Sequence, residues 1–151
     1  MMKVYRISKC IFIENLSGAG AAAYPGRWHN KGTHILYTAA SASLALLESV
    51  VHLAGILIPD YCLLCLEVPD KSILDMDIKK LPANWKDNPS SDTLKLIGDA
   101  FINENKFLLL KIPSAIIPEE CNYLINPAHK DFKGVKVVYT RVISIDRRLL
   151  S

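Results

Sequence analysis

The sequence predicts one mixed α+β domain, spanning residues 1–151, with several strands and two principal helices. Its 151 residues suit one hydrophobic core, since such cores commonly occupy roughly 100 to 200 residues. Half of the residues are hydrophobic and 22% are charged, which is typical of a folded chain and not of a disordered one. Short strand-like runs alternate with two helical patterns, and no internal repeat or low-complexity tract interrupts them.

The first quarter of the chain combines strand patterns with a glycine-rich stretch. Lys3 to Ile7 alternates as a strand does, and Ile11 to Ile13 either extends that strand or pairs with it. Leu16 to Gly32 holds four of the seven glycines, which predicts a long ordered loop of a kind that often carries function. His34 to Thr38 is predicted to be a short strand.

A helix with one apolar face is predicted next. A serine within Ala39 to Ser43 caps its start, and the helix runs to about Gly55. Glu48 lies at the margin of the apolar face. That face consists of residues at three- to four-residue spacing, namely Leu44, Leu47, Val51 and Ala54.

The middle of the chain is predicted to contain a buried strand and the second helix. Tyr61 to Val68 is almost entirely apolar, and Pro69 to Pro89 is predicted to be an irregular surface segment that Pro82 and Trp85 attach to the body. Ser90 or Ser91 then caps a helix that ends at a polar stretch, Asn103 to Lys106. The inner face of this helix is predicted to comprise Leu94, Ile97, Phe101 and Ile102.

Three further strands complete the predicted sheet. Phe107 to Ile112 forms one of them, and Pro113-Ser114-Ala115 ends it. Tyr123 to Ile125 is a short strand that leads into Asn126-Pro127, and Val135 to Ile145 is a long β-branched strand.

Charge, cysteines and the N-terminal segment exclude several classes of protein. The basic residues are scattered and the net charge is only +3, so we expect no direct nucleic-acid binding. The segment Met1 to Arg6 lacks the apolar core of a secretory signal, and the longest apolar run falls short of the ~20 residues that cross a bilayer. We therefore expect a cytoplasmic protein without a membrane segment.

The four cysteines are predicted to be buried and reduced, and to hold no metal. Cys62 and Cys65 have the two-residue gap of zinc knuckles, but they lie in a predicted strand, where residues three apart face opposite ways. Free cysteines are commonly interior residues. We expect the same of Cys10 and Cys121.

The segment Gly26 to Gly32 is the first candidate for chemistry. Arg27 follows a glycine, and a guanidinium there can approach a phosphate closely and bind it with forked donors. In the alternative interpretation, Arg27 forms a salt bridge within the loop and Trp28 fills the edge of the core. The spacing leaves both open, and it differs from that of a Gly-rich dinucleotide fingerprint.

Glu48 and Ser114 are the other candidates. A carboxylate beside an apolar face either serves a ligand or reaches solvent or a lysine, because unpaired burial is costly. His52, one turn later, is interpreted as a boundary histidine. Ser114 follows a proline at a strand end without a Gly-x-Ser-x-Gly motif, which favours a hydrogen-bonding or turn serine over a nucleophile.

Together and in this order, four segments resemble the RES-domain family, which is named for an arginine, a glutamate and a serine. Members of that family are commonly toxins encoded beside Xre-type antitoxins. The resemblance covers nearly the whole chain. The four segments are Gly26 to Gly32 with Tyr37 behind it, Ala39 to Glu48, Ile112 to Ala115, and Asn122 to His129.

The resemblance implies a fold similar to that of ADP-ribosyltransferases, with mainly antiparallel sheets and a few helices. It implies a toxin that cleaves NAD+ between nicotinamide and ribose by hydrolysis or phosphorolysis, or alternatively a protein ADP-ribosyltransferase. NAD+ is the substrate and no metal is implied. An Xre-type antitoxin is the implied partner, in a hetero-oligomer with the toxin.

The family pattern also implies roles for individual residues. Glu48 would stabilise the positive charge that develops on the ribose, since NAD+ cleavage passes through an oxocarbenium-like state as glycoside cleavage does. Arg27 would bind the pyrophosphate, Tyr37 would stack on nicotinamide or ribose, and Ser114 would hydrogen-bond the nicotinamide side or a ribose. Further residues expected to contact NAD+ are Trp28, Asn30 and Asn126. His29 departs from the family pattern, in which the aromatic residue commonly precedes asparagine directly.

Two alternative functions remain open at the level of sequence. A ribonuclease toxin would need basic residues along a phosphate backbone and an acid-base pair such as His29 with His129. A noncatalytic binding module would use the glycine-rich loop to dock a partner and would tolerate substitution of Glu48 or Ser114.

Overall fold

A computed structural model describes residues 1–53 and 60–150, and it confirms a mixed, mainly antiparallel α+β fold. In chain order the elements are β1 Met2–Lys9, α1 Ala19–Ala23, β2 Leu36–Ala39, α2 Ala42–Val50, β3 Tyr61–Val68, β4 Ile73–Asp75, α3 Asp92–Glu104, β5 Leu109–Pro113, β6 Cys121–Ile125 and β7 Lys136–Ile143. The strands form a seven-stranded sheet in the order β4-β5-β6-β2-β1-β3-β7, antiparallel throughout except for the parallel pair β4 and β5. Short 3-10 turns occupy Ile78–Lys80, Lys130–Gly134 and Arg147–Leu149.

Both faces of the sheet are covered, which explains why strand β3 is apolar almost throughout. On one face, Val4, Leu64 and Ile125 belong to a core that closes against Ile13 and Phe132. On the other face, the helices cover the sheet. There α3 packs on β5 and β6, and α2 packs on β1 and β2, through contacts among Leu94, Phe101, Leu110, Leu124, Leu44 and Ala39.

The sheet divides in its middle, between β1 and β2. These strands pair only at Tyr5 and Ala39, whereas β1 pairs with β3 along its full length from Met2 to Lys9. Strand β2 instead pairs with β6 along its whole length. The two strands therefore diverge on one side of the Tyr5–Ala39 pair.

Helix α2 begins as predicted but ends early. Ser41 is the N-cap residue, and its hydroxyl accepts a hydrogen bond from the Leu44 N–H at 3.1 Å. The helix ends at Val50, and Val51, predicted to be on the buried face, is 55% exposed. Two consecutive β-branched valines are poor helix formers, and the turn that follows buries Leu53 instead. The predicted helix residues Ala54 and Gly55 lie outside the described residues.

The other predicted elements are mostly confirmed, with local differences. Helix α3 has Ser91 as its N-cap residue, and Trp85 packs against it. The segment 11–13 forms a turn with Ile11 81% exposed, so the predicted strand extension was wrong. A short strand, β4, lies within the segment predicted to be irregular, because Ile73–Asp75 finds a parallel partner in β5.

The prediction that all the cysteines are reduced was wrong for one pair. Cys10 and Cys62 form a disulfide that joins the end of β1 to the start of β3. The register of these strands places Ser8 opposite Cys62, and the chain turns after Lys9, so Cys10 returns to within 4.9 Å of Cys62 between Cα atoms. Cys65 is free and buried, whereas Cys121 is free but only half-buried.

The described residues contain no metal-binding cluster and no membrane-spanning helix. Within residues 1–53 and 60–150, no group of three or more His, Cys, Asp or Glu side chains is arranged to hold a metal ion. None of the helices in the same ranges combines the length and the apolar character that crossing a membrane demands.

Candidate active site

A cavity of about 370 Å³ opens where β1 and β2 diverge. Its walls come from β1, β2, α2, the loop around Arg27, the end of β5, and Asn122 of β6. Arg27, Tyr37 and Glu48, which are distant in sequence, all line it. The cavity therefore brings together three of the residues that the sequence assigned to NAD+.

Glu48 is held from one side only. The Ser114 hydroxyl donates a hydrogen bond to its Oε1 at 2.7 Å, and the Asn122 Nδ2 donates to the same oxygen at 2.9 Å. Among the described residues, none donates a hydrogen bond to Oε2. The carboxylate is thus fixed by two donors, one directly after β5 and one on β6, while no described donor reaches its second oxygen.

Ser114 orients Glu48 and is itself fully buried. Its hydroxyl accepts hydrogen bonds from the N–H groups of Ile116 and Ile117, both at 3.1 Å, while it donates to Glu48. One donor and two acceptor lone pairs are all that a hydroxyl offers. The expected direct contact between Ser114 and nicotinamide or ribose does not fit this geometry, because the hydroxyl has no capacity left.

Arg27 is anchored by backbone oxygens and not by an acid. Its Nη1 donates to the carbonyl oxygens of Trp85 at 3.0 Å and Asp87 at 2.8 Å. Within the described part of the chain no carboxylate forms a salt bridge with it, so the loop ion pair of the alternative interpretation is absent there. The guanidinium therefore brings a positive charge to the cavity that no described acid neutralises.

Tyr37 and His29 hold the loop that carries Arg27. The Tyr37 hydroxyl accepts a hydrogen bond from the Trp28 N–H at 3.2 Å and lies 2.7 Å from Nδ1 of His29. His29 Nε2 faces the carbonyl oxygens of Ala21 and Tyr24, so it carries the proton, and Tyr37 donates to Nδ1. Burial raises the pKa of Tyr37, which keeps the phenol protonated.

The histidines of the ribonuclease alternative are structural. His29 is 2% exposed and its ring nitrogens are engaged as described above. His129 is also buried, and its Nδ1 accepts a hydrogen bond from the Asp131 N–H at 3.1 Å. Neither lines the cavity. His52, in contrast, does line it, although the sequence indicated only a boundary residue.

Three further residues were expected to contact NAD+, and only Trp28 lines the cavity. Asn30 donates from its backbone and its side chain to Asp99, at 3.0 and 2.7 Å. Asn126 is fully buried, where its amide donates to Asn105 and accepts from the N–H of Ala128. Neither asparagine lines the cavity, because each amide stabilises a local turn or loop, a common use of this side chain.

Asn122 is the residue of the site that residue-level reasoning missed. It begins one of the matching segments, yet no role followed from its position on a strand. A signal did exist in the register, because Asn122 lies opposite both Ala39 of β2 and Ile112 of β5 and so shares their face of the sheet. A polar side chain on that otherwise apolar face indicates a site.

Comparisons with known proteins agree on one family. A family model described as RES domain matches residues 3–148. The chain is 38% identical to a Toxin Res from Photorhabdus laumondii, over 99% of this chain and 97% of that protein. It is 40% identical to a Prs ADP-ribosylating toxin from Sphingobium sp., over 91% of this chain and 88% of that protein. The crystal structure of the M. tuberculosis MbcT-MbcA toxin-antitoxin complex contains a chain of similar fold, with a TM-score of 0.79 and 17% identity over 99% of this chain and 86% of that one.

Proposed function

The chain belongs to the RES-domain family, and on that premise we propose that it is a toxin that cleaves NAD+ at the bond between nicotinamide and ribose. One observation carries this proposal: Arg27 and Glu48, which are 21 residues apart in sequence (48 − 27), line the same cavity. An anion-binding guanidinium and a carboxylate with a free oxygen are the two groups that such a reaction needs.

Arg27 would bind the pyrophosphate of NAD+. A guanidinium offers forked donors that match phosphate oxygens, and such charge-assisted hydrogen bonds are stronger than neutral ones. Its Nη1 is held by two carbonyl oxygens, which orients the group before the ligand arrives. The dinucleotide would then extend from this loop toward α2, with its nicotinamide-side ribose beside Glu48.

Glu48 would stabilise the transition state. Nicotinamide leaves with the electron pair of the C1′–N bond, and because the bound pyridinium is already cationic, the leaving group needs no proton. Positive charge then develops on the ribose, and a carboxylate fixed beside it stabilises that charge without having to reorganise. A nucleophile captures C1′, and where it is water, it releases one proton.

The nucleophile distinguishes the candidate enzymes. Water gives NAD+ hydrolysis and inorganic phosphate gives phosphorolysis. An acceptor side chain on another protein gives ADP-ribosylation, the second candidate, which is favoured by the 40% identity to a protein named Prs ADP-ribosylating toxin. A ribonuclease is disfavoured because the buried His29 and His129 do not line the cavity.

Incubation with NAD+, with and without phosphate, tests the proposal. We expect free nicotinamide in both reactions, with ADP-ribose as the second product in water and its 1-phosphate where phosphate is the acceptor, all identified by mass spectrometry. A cellular extract added as a source of proteins would show a mass increase on a target if the acceptor is a side chain. Intact NAD+ in every reaction, or cleavage of RNA with NAD+ untouched, would contradict the proposal.

The partner in this proposal is an antitoxin of the Xre type, bound in a hetero-oligomer in the cytoplasm. Support comes from the fold, which the chain shares with a component of a toxin-antitoxin complex. Purification of the toxin with the product of an adjacent antitoxin gene tests it by light scattering and NAD+ turnover. We expect one stable complex with suppressed turnover, whereas an unbound, active toxin in the mixture would reject this partner.

A further inference from the structure

The side-chain amide of Asn122 has a defined orientation. Its neighbour in the site, Glu48 Oε1, also accepts the hydroxyl proton of Ser114, and an ionised carboxylate only accepts hydrogen bonds. The NH2 group of Asn122 must therefore face Glu48, as observed at 2.9 Å. The opposite end of the amide, Oδ1, is consequently an acceptor held beside the carboxylate.

This acceptor has no donor within the described residues. Oδ1 of Asn122 is buried, and no hydrogen-bond partner reaches it, although the residue lines the cavity. A buried carbonyl oxygen without a donor costs free energy, so such atoms are rare in folded proteins and commonly mark a place where a ligand or water supplies the donor. Glu48 Oε2 is a second acceptor without a described donor in the same cavity.

These two acceptors belong to side chains that are hydrogen-bonded to each other, so a ligand with two neighbouring donors suits them. The phosphates of a dinucleotide only accept hydrogen bonds, which leaves its hydroxyls, its carboxamide and the amino group of its adenine as donors. The adenine lies at the far end of the dinucleotide from the bond that is cleaved. A carboxamide presents its N–H groups from a single atom, whereas the cis-diol of a ribose presents two hydroxyls on adjacent carbons. The diol therefore matches a pair of acceptors on separate side chains better than the carboxamide does.

We propose that Asn122 contacts the substrate, with Oδ1 accepting a hydrogen bond from one hydroxyl of the nicotinamide-side ribose while Glu48 Oε2 accepts from the other. This inference rests on the proposed cleavage of NAD+. Asn122 then has two roles, because its Nδ2 positions Glu48 and its Oδ1 binds a hydroxyl of the ribose. The pair discriminates ribose from deoxyribose, since a missing hydroxyl leaves a buried acceptor unpaired.

Ser114 provides a matched control for this assignment. Both Ser114 and Asn122 donate to the same oxygen of Glu48, so Ser114→Ala and Asn122→Ala each remove one donor from the carboxylate. Only Asn122 carries an unpaired acceptor in the cavity, because the Ser114 hydroxyl is saturated. A loss of kcat/KM that both variants share results from a displaced Glu48. A loss that is specific to the Asn122 variant results from the missing hydrogen bond to the ribose.

The experiment measures kcat/KM for NAD+ and for its 2′-deoxy and 3′-deoxy analogues on the nicotinamide-side ribose. One of the two analogues lacks the hydroxyl that contacts Asn122. For that analogue, the ratio of kcat/KM for NAD+ to kcat/KM for the analogue is expected to be about five- to tenfold lower in Asn122→Ala than in the wild type, the factor expected for one hydrogen bond. Ser114→Ala keeps the full preference. Because the preference of each variant is compared with that of the wild type, the intrinsic reactivity of the analogues cancels.

Asn122→Ser is the second variant, in case Asn122→Ala does not fold, and circular dichroism checks both. Equal preferences in wild type, Asn122→Ala and Ser114→Ala, with NAD+ still cleaved, overturn the inference but leave the proposed function standing. The same conclusion follows if Asn122→Ala changes only the preference for NAD+ over 3-acetylpyridine adenine dinucleotide, an analogue that lacks the carboxamide N–H groups. A wild type that leaves NAD+ intact overturns both.

Discussion

Glu48 would serve the proposed cleavage because the described residues engage only one of its two oxygens. Oε1 accepts from Ser114 and Asn122, which compensates the carboxylate for lost hydration. Those donors come from the residue directly after β5 and from β6, whereas Glu48 comes from α2. The side chain is therefore held between two layers of the fold, so the carboxylate needs little reorganisation when a cation forms beside it.

Replacement of Glu48 by glutamine removes the charge and keeps the hydrogen bonds. The amide oxygen of Glu48→Gln takes the place of Oε1 and still accepts from Ser114 and Asn122. We expect an unchanged melting temperature and a rate of NAD+ cleavage at least about a hundredfold lower, the size of effect expected for one transition-state partner. Glu67→Gln, in a half-buried glutamate of β3 that does not line the cavity, is the control. Full turnover by folded Glu48→Gln would remove the glutamate from the mechanism.

Arg27 should affect binding more than chemistry. We expect Arg27→Ala to weaken NAD+ affinity, measured by calorimetry in the Glu48→Gln background so that no turnover intervenes. Arg27→Lys should recover only part of the affinity, because an ammonium lacks the fork that matches a phosphate. Arg141→Ala, on the exposed edge strand β7, is the control. Unaltered affinity in Arg27→Ala would reject the pyrophosphate assignment.

At the scale of residues, the sequence predicted those side chains whose surroundings are unusual within a short window. Arg27 stands out beside glycine, and Glu48 stands out at the margin of an apolar stripe. Asn30 and Asn126 do not line the cavity, and the sequence could not predict this, because an asparagine that stabilises a turn has the same local pattern as one that binds a ligand. Asn122 could not be assigned, since its role depends on a strand register and on a partner 74 residues away.

Helix α3 contributes to the site by holding the loop that carries Arg27. It contacts that loop at Gly98, where an added Cβ would lie 1.7 Å from the carbonyl oxygen of Trp28. Only a residue without a side chain permits this approach between helix and loop. The packing of one glycine thus sets the distance between α3 and the backbone adjacent to Arg27.

Gly98→Ala should therefore damage both the fold and the site. The clash is with backbone and cannot be relieved by a side-chain rotation, so we expect a loss of about 1 to 3 kcal/mol in the free energy of unfolding and weaker NAD+ binding. Gly20→Ala is the control, because no atom lies within 4 Å of the added Cβ there. Urea unfolding measures the stability. A Gly98→Ala protein as stable as Gly20→Ala would contradict the close packing.

The next residue of α3 makes this attachment depend on pH. Burial alone would raise the pKa of Asp99, but hydrogen bonds from the Asn30 N–H, the Asn30 amide and the Thr33 hydroxyl outweigh it and lower the pKa below its usual 3.8. A lowered pKa in the folded state means that the carboxylate stabilises the fold above the unfolded value, and that this stabilisation is lost as pH falls through the folded value.

We expect Asp99→Asn to melt at a lower temperature than the wild type at pH 6, and the difference to shrink as pH falls below about 4. Melting temperatures between pH 2.5 and 7 measure it. Glu104→Gln, in an exposed residue at the other end of α3, should not reproduce this dependence. A difference between Asp99→Asn and wild type that is constant over the whole range would show that the charge of Asp99 does not stabilise the loop.

At the scale of elements, the sequence predicted what local periodicity encodes. The apolar run of β3 and the amphipathic pattern of α3 were sufficient to predict these two elements. The predicted caps are also confirmed, since Ser41 and Ser91 are the N-cap residues of α2 and α3. The end of α2 was missed because two β-branched valines follow an otherwise helical pattern, and the turn after them buries Leu53. Strand β4 was missed because three residues become a strand only through a partner strand, and the Cys10–Cys62 disulfide depends on a turn after β1.

The whole molecule explains why no single segment reveals the site. Two parts of the sheet, β4-β5-β6-β2 and β1-β3-β7, meet at one residue pair, Tyr5 and Ala39. The β5–β6 part supplies Ser114 and Asn122, and α2 places Glu48 across the junction. The cavity occupies the gap between the parts, so a bound dinucleotide would contact both of them.

A ligand in that gap should protect the diverging strands first. In hydrogen exchange with the Glu48→Gln protein, we expect NAD+ to slow the exchange of amides in 6–8 of β1 and 38–39 of β2, whose backbone borders the cavity. The edge strand β7 provides the internal reference, because it is separated from the gap by β1 and β3. Its exchange is expected to change little, since a frayed edge opens locally without unfolding the molecule. Equal slowing along all the strands would indicate only a general gain in stability, and slowing centred on β7 would place the ligand outside the gap.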